Sequence, residues 1–345
     1  MARKRSSPEP TPPAEADYPI RFDELQGHAA QVRFLVKALG RGVLPQTLLF
    51  TGPKGVGKAT LARMVAAALQ CDAPVQGACG NCGPCRKVRR GLHPDVRWVG
   101  LETRDGGAKR TQIVVDQIRE QVLAPLSLPP YEGRRLVVLI DPADALNPNA
   151  QNALLKSLEE PPAFGQFILV TSNPAALLPT VRSRSHALTL GPLPPGDMAP
   201  LLERLSVPPE DRPSALAFAC GAPGRLLSAG PGRRDDRRDL LLRLLEEGLD
   251  AAVYPDLAPL LERLAKEDAG EVCAMAAGLL RDALRIVHGC PALVNADAGQ
   301  PLARAARLRG VNGLQRVAER LAEAPQHLAR NVNPRLLLER LFLVP

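Results

Sequence analysis

Residues 141–164 read DPADALNPNAQNALLKSLEEPPAF, and this stretch decides how the fold of the chain is interpreted. An apolar run, Leu136–Ile140, precedes it and leads into Asp141, as strands of phosphate-loop nucleotide-binding domains do. At the next position, where active members of that class place the carboxylate that orients water, this chain has Pro142. The stretch therefore predicts a nucleotide-binding frame that lacks one catalytic group.

A second segment supplies most of a phosphate-binding loop. Gly52–Lys58 reads GPKGVGK between a predicted strand and a predicted helix. Its glycines let backbone N–H groups converge on phosphate oxygens, and its lysine adds a positive charge. The next residue normally offers a hydroxyl to Mg²⁺, but here it is Ala59, and Thr60 is turned about 100° away around the helix. The predicted nucleotide site comprises Gly52, Gly55, Gly57, Lys58, Thr60 and Asp141.

This site is incomplete for ATP hydrolysis. Asp141 could hold Mg²⁺ through water, or it could cap the turn that follows its strand. Asp144 is the nearest remaining carboxylate and is displaced from the usual position. Because no base is in place, attack of water on a γ-phosphate should be slow. We expect ATP and Mg²⁺ either to be absent from this loop or to bind without turnover, so intrinsic ATPase activity is not expected.

Four cysteines predict a metal site. Cys71, Cys79, Cys82 and Cys85 have the spacing C-x7-C-x2-C-x2-C. Two successive C-x2-C turns let thiolates converge on zinc, and four sulfur ligands leave no position for water, which is typical of structural zinc. An iron–sulfur cluster or four uncoordinated thiols are the alternatives. His93 lies beyond the cluster and is expected to stabilise a turn rather than to bind the metal.

An arginine motif follows the predicted strand Phe167–Thr171. Val181–Ser185 reads VRSRS. An arginine at the edge of a domain can reach the γ-phosphate bound by a neighbouring subunit and stabilise the transition state as an arginine finger. Arg184 is the better candidate, because Arg182 can serve packing or solvent. The other interpretation is an exposed arginine without such a role.

Composition and patterning predict an α/β domain followed by helices. With 45% hydrophobic but only 3% aromatic residues, the cores must consist mainly of Leu, Val and Ala, which favours helices and helix-backed sheets. Strand and helix signals alternate to about residue 190, so we predict a mostly parallel, doubly wound sheet. The predicted divisions are a disordered Pro-rich tail at 1–19, an α/β domain at 20–190 with the cysteine insert at 71–95, a small helical domain at 191–235 and a helical bundle at 236–345.

The net charge and the lack of apolar segments indicate which partners and which cellular location to expect. The net charge of +8 suits work beside DNA or an acidic partner, or it reflects a solvated basic background. No apolar run approaches the roughly 20 residues that span a bilayer. The N-terminal segment has no apolar stretch of the kind found in secretory signals. We expect a cytosolic protein with no membrane partner.

Five segments together make the chain resemble the DNA polymerase III clamp-loader family of AAA+ proteins. The similarity runs from about residue 20 to about residue 225. The segments occur in the order that the family shows: the four-cysteine insert after the loop helix, GLHPD at 91–95, VDQIRE at 115–120, NALLKSLEEPP at 152–162 and SRS at 183–185.

The resemblance implies an architecture and a set of partners. Residues 20–190 would be an AAA+ nucleotide-binding domain, 191–235 its helical lid with Arg225 near a second sensor, and 236–345 a collar domain. The collar would hold a hetero-pentamer with δ and three γ/τ motor subunits. The complex would open the sliding clamp and place it on primed DNA. Structural zinc would occupy the cysteine insert.

The resemblance also implies a role that motor subunits do not have. Motor subunits carry a hydroxyl residue after the loop lysine and a glutamate after the strand aspartate, whereas this chain has Ala59 and Pro142. The chain is therefore similar to the stator of the family, whose Arg184 would act in trans on ATP held by a neighbouring motor subunit. Ser185 is commonly cysteine in the family, and this difference leaves the role of Arg184 unchanged.

Two other functions compete with the stator. An active ATPase of the γ/τ type is disfavoured by Ala59 and Pro142. A zinc-containing nucleic-acid-binding module would use the basic charge of the chain, and strongly salt-dependent DNA binding would support it. It is disfavoured because the zinc region lacks interleaved aromatic residues and because the charge is diffuse.

Overall fold

A computed structural model describes residues 19–103, 110–229, 236–248, 254–267, 269–290, 293, 295, 298–329 and 332–343. The chain divides into two compact units, Met1–Asp197 and Met198–Pro345. The predicted tail lies outside the described residues except for Pro19, and so does the segment 230–235 at the second predicted boundary. The finer division into an α/β domain, a lid and a bundle stays a prediction.

The first unit contains a five-stranded sheet in which every neighbouring pair of strands is parallel. The spatial order is β2-β3-β4-β1-β5, and the fold class predicted from the sequence is confirmed. Central strands are buried along their whole length, which explains why they read as continuous apolar runs. The strands are β1 Thr47–Thr51, β2 Val96–Val99, β3 Leu136–Ile140, β4 Gly165–Thr171 and β5 His186–Thr189.

Helices surround this sheet and form the second unit. The α-helices of the first unit are α1 Ala29–Gly40, α2 Lys58–Gln70, α3 Gly83–Arg89, α4 Val115–Ile118, α5 Ala124–Leu126, α6 Pro148–Glu159 and α7 Pro179–Ser183. The helix α8 Pro195–Arg204 begins in the first unit and ends in the second. The remaining helices are α9 Arg212–Ala219, α10 Pro223–Ala229, α11 Asp236–Glu247, α12 Tyr254–Ala265, α13 Ala269–Val287, α14 Gly299–Ala329 and α15 Pro334–Phe342.

One predicted boundary was wrong for a local reason. The sequence pattern predicts a helix over Gln26–Leu39, but α1 begins at Ala29. Gly27 and His28 have φ of 70° and 54°, which lies in the left-handed region and does not continue a right-handed helix. The imidazole of His28 instead lies 3.0 Å (Nε2 to O) from the carbonyl oxygen of Val56 in the phosphate loop.

The two faces of the sheet have separate apolar cores, because successive strand residues point to opposite faces. Leu48 and Phe50 of β1 pack on the face that α2 covers, whereas Leu49 packs on the face that α6 covers. Strand β3 divides its residues in the same way. With all strands parallel, the carboxyl ends of β1, β3 and β4 lie at one edge of the sheet, where ligands of open α/β sheets bind.

Among its described residues, the second unit contains helices and no strand. Its core consists mainly of Leu and Ala side chains from α11 to α15, in keeping with the small aromatic content of the chain. None of the helices that the structure describes combines the length and apolar character needed to cross a bilayer.

Candidate functional site

The phosphate loop connects β1 to α2, and its lysine is engaged by the protein itself. The ammonium group of Lys58 donates to the carbonyl oxygens of Gly52 and Pro53, both at 2.7 Å, and to Oγ of Ser172 at 3.1 Å. Burial lowers the pKa of Lys58, and the carboxylates of Asp141 and Asp144 oppose that shift. A phosphate group entering the loop would have to replace these acceptors.

The backbone of the loop requires glycine at three positions for reasons that do not involve nucleotide binding. Gly52, Gly55 and Gly57 have φ of 141°, 79° and 112°, conformations that residues with a Cβ rarely adopt. At Gly52 a Cβ would also lie 2.1 Å from the carbonyl oxygen of Leu190. The sequence pattern of the loop is therefore required by its backbone and packing, whether or not phosphate binds.

The two carboxylates after β3 have different environments. Burial raises the pKa of Asp141 to about 6, and the nearby charge of Lys58 opposes this rise. Asp144 accepts hydrogen bonds from Thr171 Oγ1 at 2.7 Å and from the backbone N–H of Ser172 at 3.2 Å. Asp144 therefore fixes the end of β4, and a carboxylate so engaged is poorly placed to activate water. Neither Pro142 nor Asp144 therefore provides a general base at this site.

The four predicted metal ligands converge. Their sulfur atoms all lie within 4.8 Å of one another. The Sγ atoms of Cys79 and Cys85 are 4.0 Å apart, as are those of Cys71 and Cys82. Tetrahedral zinc with bonds of about 2.3 Å needs sulfur–sulfur distances of about 3.8 Å. All seven cysteines lie in the described residues, and none forms a disulfide. The cluster could therefore hold a metal ion, whereas the identity of that ion stays a prediction.

Backbone N–H groups favour the thiolate form of one of the four cysteines, Cys79. The N–H groups of Asn81 and Cys82 lower the pKa of Cys79 to about 6, whereas burial raises the pKa of Cys71. The backbone N–H of Cys79 also donates to the sulfur of Cys71 at 3.2 Å. Thiolates are the metal-binding form. Burial also raises the pKa of Cys85, so the fit to a metal ion with four sulfur ligands rests on the separations of the sulfur atoms.

The metal centre and the phosphate loop lie at opposite ends of α2. Lys58 is the first residue of this helix and Cys71 is its C-cap, so about 20 Å of helix separates them. A metal ion bound by the cysteines would therefore be too distant to take part directly in chemistry at the loop. Cys85 and Val88 are buried in the apolar core beside α2.

His93 and Asp95 organise the chain beyond the cluster. His93 is buried, and its Nδ1 accepts from the backbone N–H of Asp95 at 3.2 Å, which is the turn contact expected from the sequence. The carboxylate of Asp95 accepts from the backbone N–H groups of Tyr131, Glu132 and Gly133 at 2.6, 2.9 and 2.6 Å. The GLHPD segment is recognisable in the sequence, but the sequence does not indicate that Asp95 binds the distant loop Tyr131–Gly133.

Replacing Asp95 with asparagine is expected to destabilise the first unit by about 2 kcal/mol at neutral pH, because hydrogen bonds to a charged acceptor are lost. Burial opposes ionisation, but the three N–H donors hold the pKa of Asp95 below its usual range. The stabilisation is therefore present above the unfolded pKa of about 3.9 and is lost as the pH falls towards the folded pKa.

Urea denaturation of wild type and Asp95→Asn between about pH 7 and pH 3 measures this difference. Asp116→Asn is the control, because the Asp116 side chain is 77% exposed. A stability difference that did not shrink at acidic pH would show that the carboxylate charge is not what organises the loop.

Arg184 is held within the first unit. It is the C-cap of α7, and its guanidinium pairs with the carboxylate of Glu159 at the end of α6. It also donates to the carbonyl oxygen of Thr180 at 3.1 Å. Arg182 is exposed. The hydrogen bonds of Arg184 are thus made to α6 and α7 and not to the phosphate loop of its own chain.

The structure brings together some of the predicted site residues and adds others. The loop, Asp141 and Ser172 meet at the carboxyl edge of the sheet, and the cysteines form a separate centre. The resemblance places Ser172 in a first-sensor segment, Thr171–Asn173, but its contact with Lys58 was not predicted. Glu159 was not predicted as a site residue. Glu159 lies in the NALLKSLEEPP segment, so the segment was recognised but the partner of Glu159 was not.

Comparisons with known proteins agree with the resemblance seen in the sequence. The family described as DNA polymerase III, delta subunit, matches residues 27–194, and its C-terminal counterpart matches residues 232–344. DNA polymerase III subunit delta' of Pseudomonas aeruginosa is 42% identical over 42% of this chain and 43% of its own length. DNA polymerase III subunit gamma/tau of Mycobacterium tuberculosis is 34% identical over 54% of this chain and 31% of its own length.

A third relative is matched over nearly its whole length. DNA polymerase III subunit delta' of Escherichia coli K12 is 32% identical over 309 residues, which cover 88% of this chain and 89% of that protein. The chain spans less than half of the P. aeruginosa and M. tuberculosis relatives that it matches. Because the E. coli match runs through both units, the chain belongs to the DNA polymerase III subunit delta' family.

Proposed function

We propose that this chain is the stator of a clamp loader and that it supplies an arginine finger in trans without hydrolysing ATP itself. Its partners would be γ/τ and δ subunits in a hetero-pentamer, and through that complex the sliding clamp and primed DNA. Family membership supports this assignment. The single observation that carries it is the phosphate loop, whose lysine is bound by the loop itself and by Ser172.

The carboxyl edge of the sheet supports a silent nucleotide site. Ala59 offers no hydroxyl to Mg²⁺, and Pro142 offers no base. Asp144 is engaged by the end of β4. Adenine nucleotide with Mg²⁺ could occupy such a loop through its backbone N–H groups. Nothing at this edge would then activate the attacking water.

The geometry of Arg184 supports a role toward a neighbouring subunit. The side chain is 32% exposed, so it is supported by its own domain yet reachable from outside. Glu159 orients the planar guanidinium, whose remaining N–H groups match the oxygens of a phosphate. A γ-phosphate on the neighbouring motor subunit would attract the same group. Glu159 would therefore hold the Arg184 guanidinium in position, and part of this ion pair could remain when the guanidinium binds the γ-phosphate.

The metal of the cysteine centre is proposed to be zinc, held by Cys71, Cys79, Cys82 and Cys85. Four thiolates at near-tetrahedral separations fit zinc, which has no geometric preference of its own and is stable against redox change. When bound, zinc would supply cross-linking of the insert and no catalytic chemistry. The helical residues 236–345 are proposed to form the collar, and the chain to work in the cytoplasm at the replisome.

The purified chain is expected to show no Mg²⁺-dependent ATP hydrolysis above background. The physical reason is the absence of both a metal-binding hydroxyl and a base at the loop. A steady-state phosphate-release assay measures this, with an isolated γ/τ subunit as the active reference under the same conditions. Turnover comparable with that of the reference would favour the second candidate function, a γ/τ-type motor.

A further inference from the structure

Helix α3 carries a strongly basic face next to the metal centre. Its sequence continues from Cys85 as RKVRRGL. Arg86, Lys87 and Arg90 are exposed, whereas Val88 faces the core. Because Cys82 caps this helix and Cys85 lies within it, the metal centre fixes the position of the basic side chains. This arrangement differs from a mobile basic tail, in which the charges would have no fixed spacing.

An aromatic residue from a distant part of the sequence lies beside this face. The Nζ of Lys87 donates to both carboxylate oxygens of Glu132, at 2.8 and 2.6 Å. The preceding residue, Tyr131, is 86% exposed. Asp95 holds the backbone of this loop through three hydrogen bonds. The Tyr131 ring is therefore presented to solvent on a fixed backbone, although it contributes nothing to the core.

The charges on this surface are predominantly positive. Glu132 is paired with Lys87, and Asp95 is buried under the loop with 2% exposure. Arg86 and Arg90 lie one residue before and three residues after Lys87, Arg134 lies two residues after Glu132, and all three are exposed. Leu92, at the end of the same basic run, is 67% exposed. Exposed arginines with a tyrosine and a leucine match a phosphate backbone that carries unpaired bases.

We propose that this surface, formed by Arg86, Arg90, Leu92, Tyr131 and Arg134, binds single-stranded DNA. Arginines neutralise phosphates and release counterions, and an aromatic ring stacks on unpaired bases without regard to sequence. The sequence argument against a nucleic-acid-binding zinc region was the lack of interleaved aromatics, and the fold supplies Tyr131 from outside that region. An acidic protein segment is the less suitable partner, since it would leave the exposed ring without a matching group.

This site goes beyond the proposed stator role and does not depend on Arg184. Template DNA beside a loader is single-stranded next to the primer end, so the chemistry of the ligand suits the proposed setting. The stator role and the DNA-binding site depend on different side chains and are tested by different assays. Failure of one assignment would therefore not refute the other.

The test measures binding of a fluorescent oligothymidylate of about 30 nucleotides by anisotropy over a salt series, with the full chain. Arg86→Glu/Arg90→Glu is expected to weaken binding tenfold or more and to reduce the slope of log K against log salt by about 1. Tyr131→Ala is expected to weaken binding roughly tenfold with the slope unchanged, since stacking is not ionic. Thermal unfolding and metal content establish that each variant retains its fold.

Arg33→Glu/Lys37→Glu on α1 is the matched control. Both residues are exposed, they have the same spacing in the chain as Arg86 and Arg90, and the variant makes the same change in net charge. Equal weakening by the two double variants would overturn the site, because it would show an effect of net charge alone. The absence of wild-type binding at low salt would overturn it as well. Competition by polyglutamate as effective as that by oligothymidylate would point instead to an acidic protein partner.

Discussion

Replacing Arg184 with alanine is expected to lower the DNA- and clamp-stimulated ATPase activity of a reconstituted loader by tenfold or more. Arginine fingers stabilise charge that develops on the transferred phosphoryl group, and their removal typically costs more than this. The fold should survive, because the pair of Arg184 with Glu159 is partly exposed and such pairs contribute about 1 kcal/mol or less. The measurement is steady-state ATP turnover by the complex at saturating DNA and clamp.

Two further variants separate a finger from a structural arginine. Arg182→Ala removes an exposed arginine from the same helix and should leave turnover unchanged. Arg184→Lys keeps the charge but loses the planar fork, so it should recover only part of the activity. If Arg184→Ala assembles with its partners and hydrolyses ATP at the wild-type rate, Arg184 does not act on the neighbouring γ-phosphate.

The sheet was predictable from sequence because its strands are buried on both faces. Leu136–Ile140 and Thr47–Thr51 are apolar runs that end at turn residues, and the structure places β3 and β1 at these same residues. Strand β4 begins earlier than predicted, at Gly165 rather than Phe167. The amide nitrogen of its buried Gln166 donates to the carbonyl oxygens of Pro45 and Gln46, and the local sequence pattern does not reveal these partners.

The site was predictable only in part, because its decisive contacts join distant segments. Position in the motif identifies Lys58, but its contact with Ser172 links the start of α2 to the residue after β4. Likewise, Arg184 was recognised and Glu159 was not. In a parallel sheet such partners meet at strand and helix ends that the chain reaches many residues apart. A single sequence therefore identifies the functional side chains, but it does not show which side chains contact one another.

The glycine pattern of the phosphate loop has a physical explanation in this fold even if the site does not hydrolyse ATP, as proposed. Gly52 is required by its φ of 141° and by the carbonyl of Leu190, which a Cβ would approach to 2.1 Å. By contrast, the residues that would serve hydrolysis can change without disturbing the backbone, since a hydroxyl is simply absent at Ala59. The proposed absence of catalysis is thus compatible with an intact loop, because different atoms serve hydrolysis and the loop backbone.

Replacing Cys79 with serine is expected to abolish stoichiometric zinc binding and to lower the stability of the first unit by about 3 kcal/mol or more, since structural zinc contributes directly to folding. The insert has few other means of staying folded. Helix α3 contains seven residues, which is too short to be stable alone in water. Ala78, Cys85 and Val88 belong to the apolar core against α2, so loss of the insert would expose that core to water.

The effect is measured by metal analysis of the purified protein and by urea denaturation with and without a chelator. Cys290→Ser is the matched control, because Cys290 is exposed and lies outside the cluster. Chelation of the wild type should reproduce the Cys79→Ser loss, whereas it should add little to the variant, because both treatments remove the same ion. Wild-type stability in the Cys79→Ser variant would mean that the four thiols are held by packing alone. Iron in place of zinc would instead retain the structural role and change the assigned metal, so the stability loss and the identity of the ion are separate outcomes of one experiment.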